Sequence, residues 1–193
     1  MSISLVAGLG NPGREYEASR HNVGWVVLDA FAKKQGLTWK LVGQFEAEVA
    51  RWDTPGRTRW LIKPLTFMNA SGTSVRAFSR FFKIPPVDIA AVYDDITIDV
   101  GLVKVSNKGS AGGHNGVASL LEQVGDGFSR YRLGIGPKQP SQMDLSDFVL
   151  GKFTSEQQTL LTQKLETHVL GLELLLSRGT EAAMNQLNRR DPK

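Results

Sequence analysis

The chain has 193 residues, 41% of them hydrophobic, with 23 Lys and Arg against 19 Asp and Glu and a pI near 9.4. This length suits one domain with a sizeable core, and a small basic excess permits a phosphate-rich partner without demanding one. The lack of cysteine excludes disulfides, thiolate metal sites and a cysteine nucleophile, and suits a reducing cytoplasm. No apolar run approaches the roughly 18 residues of a membrane span, and the first residues lack the basic-then-apolar order of a signal peptide, so an unsecreted, non-membrane protein is expected.

In chain order, Ile3 to Ala7 reads as a short buried strand, and Val23 to Ala32 carries apolar residues at helical spacing with Gly36 as a stop. The polar stretch Gly8 to Asn22 is therefore a strand-to-helix loop, the kind of place where open α/β sheets bind ligands. Gly8, Gly10 and Gly13 fit the dinucleotide pattern G-x-G-x-x-G. In that pattern, however, the helix opens within the glycines and an acid closes the next strand. Here Asn11-Pro12-Gly13 makes a turn, polar residues separate it from the helix, and the nearest well-spaced acid, Asp29, lies inside that helix. A nucleotide cofactor is not expected.

Phe45 to Trp52 and Thr58 to Ile62 flank Asp53-Thr54-Pro55-Gly56 and predict a hairpin. Pro64 ends the second strand and puts Met68 and Asn69 just beyond it. Ser71 is predicted to cap a helix with Val75, Phe78, Phe81 and Phe82 near one face, stopped by Pro85-Pro86. Ile89 to Tyr93 is a buried strand that delivers Asp94 and Asp95 to its carboxyl end. Gly101 to Ser106 is a further strand, followed by the glycine-rich loop Lys108 to Gly113 and a helix from about Asn115 to Val124. Tyr131 to Ile135 is a strand and Gln139 to Asp144 a polar loop. Thr154 to Ser177 and Thr180 to Leu187 are C-terminal helices, the first with Leu161, Leu165, His168, Leu172 and Leu176 on one stripe. Strands alternating with helices predict a single α/β domain over residues 1–193, with a mixed, mostly parallel twisted sheet flanked by helices.

Of the three histidines, His168 lies on an apolar stripe, where a satisfied structural role is expected. His114, at a helix start, suits structure and function equally. His21 follows the polar loop at the strand-end rim, and Asp94 is predicted on the same rim. A carboxylate holding one ring nitrogen leaves the other free to take a proton from water. Asn11, Asn69 and Asn115 singly suit turns and caps. Together on one rim, their amides offer uncharged donors and acceptors to a carbonyl or a water. There is no Gly-x-Ser-x-Gly elbow and no His-Glu-x-x-His cluster, so neither a covalent serine nor a metal mechanism is supported.

Four collinear stretches carry a family resemblance: Gly8-Leu9-Gly10-Asn11-Pro12-Gly13 through Arg20-His21-Asn22-Val23-Gly24; Lys63-Pro64-Leu65-Thr66-Phe67-Met68-Asn69-Ala70-Ser71-Gly72; Tyr93-Asp94-Asp95; and Gly109-Ser110-Ala111-Gly112-Gly113-His114-Asn115-Gly116. Together they resemble bacterial-type peptidyl-tRNA hydrolases from about residue 4 to at least Lys152. The resemblance implies hydrolysis of the ester between a peptide's C-terminus and the 3′-terminal ribose of tRNA. It implies His21 as base with Asp94 as its partner, Asn11 and Asn69 holding substrate near the ester, and Asn115 positioning water or substrate. Tyr16 and Met68 would line the cleft, although packing alone also accounts for Met68. It further implies a monomeric cytoplasmic enzyme without cofactor or metal, acting on the acceptor end of peptidyl-tRNA and on no membrane.

For tRNA phosphates, Lys108 and Arg132 rank first among Lys104, Lys108, Arg130, Arg132, Arg189, Arg190 and Lys193. Ser106 and Thr97 depart from the family pattern, where a basic residue and an Asp are common. A second reading is a non-catalytic RNA-binding relative on the same fold; a third, a Rossmann-type oxidoreductase, would require dinucleotide binding.

Overall fold

A computed structural model describes residues 2–189. Its frame is a seven-stranded sheet in the order β2-β3-β4-β1-β5-β7-β6. The strands are β1 (Leu5–Gly8), β2 (Lys40–Val42), β3 (Ala47–Thr54), β4 (Arg57–Pro64), β5 (Ile89–Asp99), β6 (Val103–Ser106) and β7 (Ser129–Gly136). β1 pairs in parallel with β4 and β5, and β5 with β7, while β2, β3 and β6 join through antiparallel ladders. The strands at the centre are buried along their length, Leu-Val-Ala-Gly of β1 throughout, as parallel strands covered on both faces must be.

The helices are α1 (Val23–Lys34), α2 (Ser71–Phe81), α3 (Asn115–Gln123), α4 (Leu145–Leu150), α5 (Ser155–Arg178) and α6 (Thr180–Leu187). The pleat divides them. Val6, Ala90, Val92, Tyr131 and Leu133 face α1, α5 and α6, whereas Leu5, Ala7, Ala91 and Tyr93 face α2 and α3. Gly24 lets α1 lie directly on the sheet: a Cβ there would stand 2.4 Å from the carbonyl oxygen of Val92 and 2.9 Å from that of Leu9.

The predicted elements are present, with corrections at their ends. β2 and α4 were not foreseen: three residues on an edge and a six-residue helix are too short for a periodic signal. β5 does not stop at Tyr93 but continues to Asp99, because β7 pairs with it as far as Asp95 and again at Asp99. Ser71 is not a cap. It is the first residue of α2, entered through a 3-10 turn at Met68–Ala70, and its hydroxyl donates back to the Met68 carbonyl. Val75 and Phe78 are buried as predicted. Phe81 and Phe82 instead reach outward, stacking with Phe45 and Trp60.

His168 is buried as expected but not satisfied, since neither ring nitrogen has a hydrogen-bond partner. Burial, with a lesser contribution from the charge of Lys164, pushes its pKa down to about 4 from 6.5. Between those two values the unfolded chain binds a proton that the folded chain refuses. Stability is therefore full above pH 6.5 and is lost as the pH falls toward 4. The expected loss is about 3 kcal/mol at roughly 1.4 kcal/mol per pH unit. Urea midpoints measured across that range should show it, and His168→Leu should flatten this part of the profile.

Candidate active site

The site forms at the carboxyl end of β1, where the chain leaves the sheet while β5 runs on. Leu9 N–H still bonds to the Val92 carbonyl at 3.0 Å, and two residues later the loop is locked by an asparagine pair. Asn11 N–H donates to Asn22 Oδ1 at 2.8 Å, and Asn22 Nδ2 donates to the Asn11 carbonyl at 3.0 Å. This pair closes the loop against the 3-10 turn Arg20–Asn22 that precedes α1. The three glycines of the apparent dinucleotide pattern are required by packing and by the turn: a Cβ on Gly8 would sit 2.8 Å from Leu28 Cδ2, and Gly13 has φ 113°. A Cβ on Gly10 would sit 2.7 Å from the Trp25 ring, and α1 opens only at Val23.

His21, on that turn, is 7% exposed and Asp94 2%. His21 Nδ1 lies 2.8 Å from Asp94 Oδ1. Burial pushes the Asp94 carboxyl upward. The charge and hydrogen bonds of His114, then of His21, outweigh this and hold it below the usual carboxylate range, so Asp94 is an anion at neutral pH. With Nδ1–H donated to Asp94, His21 Nε2 is left as the acceptor. Asn11 is also buried, and its Oδ1 accepts the Met68 N–H at 2.7 Å. That bond fixes the carboxamide orientation and leaves Nδ2–H free to donate.

These residues line a cavity of about 810 Å3, which Tyr16, Met68, Asn69, Lys108, Asn115 and Arg132 also line. Every predicted site residue thus meets at one place. Met68 lines this cavity and also belongs to the core packed under α2 and α3. Asn69, Asn115 and Lys108 are exposed, and Tyr16 is half-buried. Arg132 pairs with Asp95 at 3.2 Å; the other oxygen of Asp95 accepts from the Thr97 backbone and hydroxyl.

The remaining basic residues divide. Arg130 is 2% exposed, lines the cavity and donates to the Ser110 and Gly109 carbonyls, so it tethers the glycine-rich loop. Lys104 lies directly opposite Arg132 in the β6–β7 ladder and is exposed. Arg189 follows Asn188, whose carboxamide makes two 2.8 Å bonds to the Val105 backbone at the sheet edge. Arg190 and Lys193 lie outside the described residues.

Several contributors were not singled out in the sequence. Arg20 is buried beside His21, with its guanidinium 4.3 Å from the Phe148 ring centroid and Nη1 donating to the Phe148 carbonyl at 3.1 Å, which ties α4 to the turn that carries His21. Phe67, before Met68, has φ 61° and ψ 162°, a region close to glycine-only. Its half-exposed ring meets Tyr16 edge-on at 6.4 Å. The charged, buried pairing of Arg20 with a residue 128 positions away leaves no mark in local sequence. Asn22 had a faint signal, as a third polar residue at a helix entry.

His21, Asp94 and His114 have donor atoms within 4.8 Å of one another and so the composition of a metal site. The hydrogen bonding does not fit one. His114 Nδ1 accepts the Gly116 and Val117 N–H groups at 3.1 and 3.2 Å, which leaves the proton on Nε2, facing Asp94. A protonated nitrogen has no lone pair for a metal, and a metal-ligating histidine ordinarily donates through its other nitrogen.

The family model described as peptidyl-tRNA hydrolase matches residues 5–193. Peptidyl-tRNA hydrolase of Gloeobacter violaceus is 40% identical over 191 residues, covering 98% of this chain and 96% of that protein. The protein of that name from Symbiobacterium thermophilum is 42% identical over 187 residues, covering 95% and 98%. Among solved structures, peptidyl-tRNA hydrolase from Acinetobacter baumannii superposes with a TM-score of 0.90 at 37% identity, covering 99% of this chain and 97% of that one.

Proposed function

The chain belongs to the peptidyl-tRNA hydrolase family, and we propose that its cavity cleaves the ester between the peptide and the 3′-terminal ribose of tRNA through a water activated by His21. The observation that carries this is the buried Asp94–His21 pair beside the free Asn11 amide, all lining one cavity. His21 Nε2 takes a proton from water as the water oxygen bonds to the ester carbonyl carbon. The oxyanion that forms accepts a hydrogen bond from Asn11 Nδ2–H, a preorganised donor in a site where few water dipoles compete. Collapse breaks the bond to the ribose oxygen, and His21 returns the proton to that oxygen.

Asn69 and Asn115 hold the peptide and terminal nucleotide, and Tyr16 and Met68 shape the cleft around them. Lys108 and Arg132 approach acceptor-end phosphates. That part of binding is salt-dependent and blind to sequence. The enzyme works as a monomer in the cytoplasm, recycling tRNA during translation; among the described residues no helix is long and apolar enough to cross a membrane. The non-catalytic RNA-binding reading is not favoured, because it leaves the Asp94–His21 pair without a use.

The test is release of the acyl group from an N-blocked aminoacyl-tRNA by purified protein with a strong chelator present. Many turnovers per enzyme, undiminished by the chelator, are expected. Salt-sensitive tRNA binding without release would transfer the case to the RNA-binding reading.

A further inference from the structure

His114 is an ionisable group in the site to which the mechanism gives no task, yet both of its ring nitrogens are engaged. It caps α3 in the way a Ser or Asp ordinarily does, with ring Nδ1 accepting the Gly116 and Val117 N–H groups. A ring nitrogen that accepts carries no proton, so the proton is on Nε2. Nε2 lies 2.9 Å from Asp94 Oδ1, the same oxygen that receives the His21 proton at 2.8 Å. The ring is gripped from several sides. Tyr93 meets it edge-on at 5.0 Å and the His21 ring lies 4.8 Å away. Gly116 is bare on the side where a Cβ would stand 3.1 Å from His114 Cε1 and 2.5 Å from Met68 Sδ.

We propose that His114 is a positioning residue for the hydrolysis: capping α3 fixes its Nε2–H tautomer, and that N–H holds the Asp94 carboxylate in the rotamer that orients His21. This rests on the reading of His21 as the base. Two consequences follow from one oxygen serving two donors. The direction of the Asp94–His21 bond is tied to the N-terminus of α3, which carries Asn115, so the base and a substrate-holding amide share one rigid origin. Part of the Asp94 charge is also engaged by His114, which moderates how strongly Asp94 favours a proton on His21. The other ionisable groups around the pair are Tyr16 on the loop after β1, Tyr93 and Asp95 on β5, Arg130 and Arg132 on β7, and Lys108 on the glycine-rich loop. α4 presents only Leu145, Ser146, Val149 and Leu150 to the cavity.

His114→Asn separates capping from positioning. Asn is among the best N-caps, but its amide is too short to span from the helix end to Asp94. A purely structural His114 predicts wild-type catalysis in this variant. The positioning role predicts a kcat about tenfold lower with KM for peptidyl-tRNA within about twofold. It also predicts an acid limb of the kcat/KM profile displaced upward, as Asp94 turns its whole charge on His21. In the unmodified protein, nitrogen NMR should find the His114 proton on Nε2 at neutral pH, a readout independent of how the variant folds.

Wild-type kcat and pH profile in a folded His114→Asn protein, or a proton on His114 Nδ1, would overturn the proposal. His21→Ala run alongside keeps the two readings apart. If it stays active, the base is misassigned. If it is inactive while His114→Asn is normal, only the role of His114 falls.

Discussion

His21→Ala is expected to lower kcat for peptidyl-tRNA by about 10²–10⁴-fold, with the Kd for deacylated tRNA changed less than about twofold. The asymmetry follows from position. His21 is 7% exposed and its bonded nitrogen faces inward to Asp94, whereas the basic groups proposed for phosphates, Lys108 and Arg132, come from the glycine-rich loop and β7. The fold should survive, because Arg20 and Asn22 anchor the turn on either side through bonds to Phe148 and Asn11. Single-turnover release and filter binding on the same preparation separate chemistry from affinity. A variant that keeps near-normal turnover would remove His21 from the mechanism, and one that loses both activity and tRNA binding would point to a substrate-holding role.

Asn11→Asp should cost about 10²–10³ in kcat through a change of a single group. Asn11 Oδ1 accepts the Met68 N–H at 2.7 Å, and an aspartate oxygen can keep that bond and therefore the local fold. What is lost is the Nδ2–H donor, and in its place stands an anion facing the developing oxyanion. The defect should lie in kcat more than in KM, since the interaction strengthens as charge forms. It should not be mended by raising substrate. An Asn11→Asp enzyme with wild-type kcat would mean that the oxyanion is held elsewhere, with backbone N–H groups the next to test. Asn11→Ala is the less informative change, because it also orphans the buried Met68 N–H.

The chain's alternating apolar runs and turn residues were enough to predict a single α/β domain and to put His21, Asp94 and the three asparagines on one rim. Rim residues follow strands directly, and parallel strands share a carboxyl end. Tail and hairpin signals were equally local: Thr154 caps α5 in a full capping box with Gln157, and Pro55-Gly56 sits between strands that pair at Thr54 and Arg57. What failed was whatever depends on a neighbour distant in sequence. β5 is long because β7 lies beside it, Arg130 is buried because it donates to the Gly109 and Ser110 carbonyls, and His168 is unsatisfied because the core around it offers no partner.

By itself, then, the sequence determined the kind of fold, the family and which residues to look for on one rim, since periodicity, turn chemistry and motif order are carried by residues close together in the chain. Only the tertiary structure decided how those groups are arranged against one another. Nothing in residues 21, 94 and 114 taken separately says that two imidazoles converge on one carboxylate oxygen. That convergence requires the end of β5, the turn before α1 and the first turn of α3 to meet at distances near 3 Å, and hydrogen bonding is sensitive to distance and angle at a scale that only packing sets.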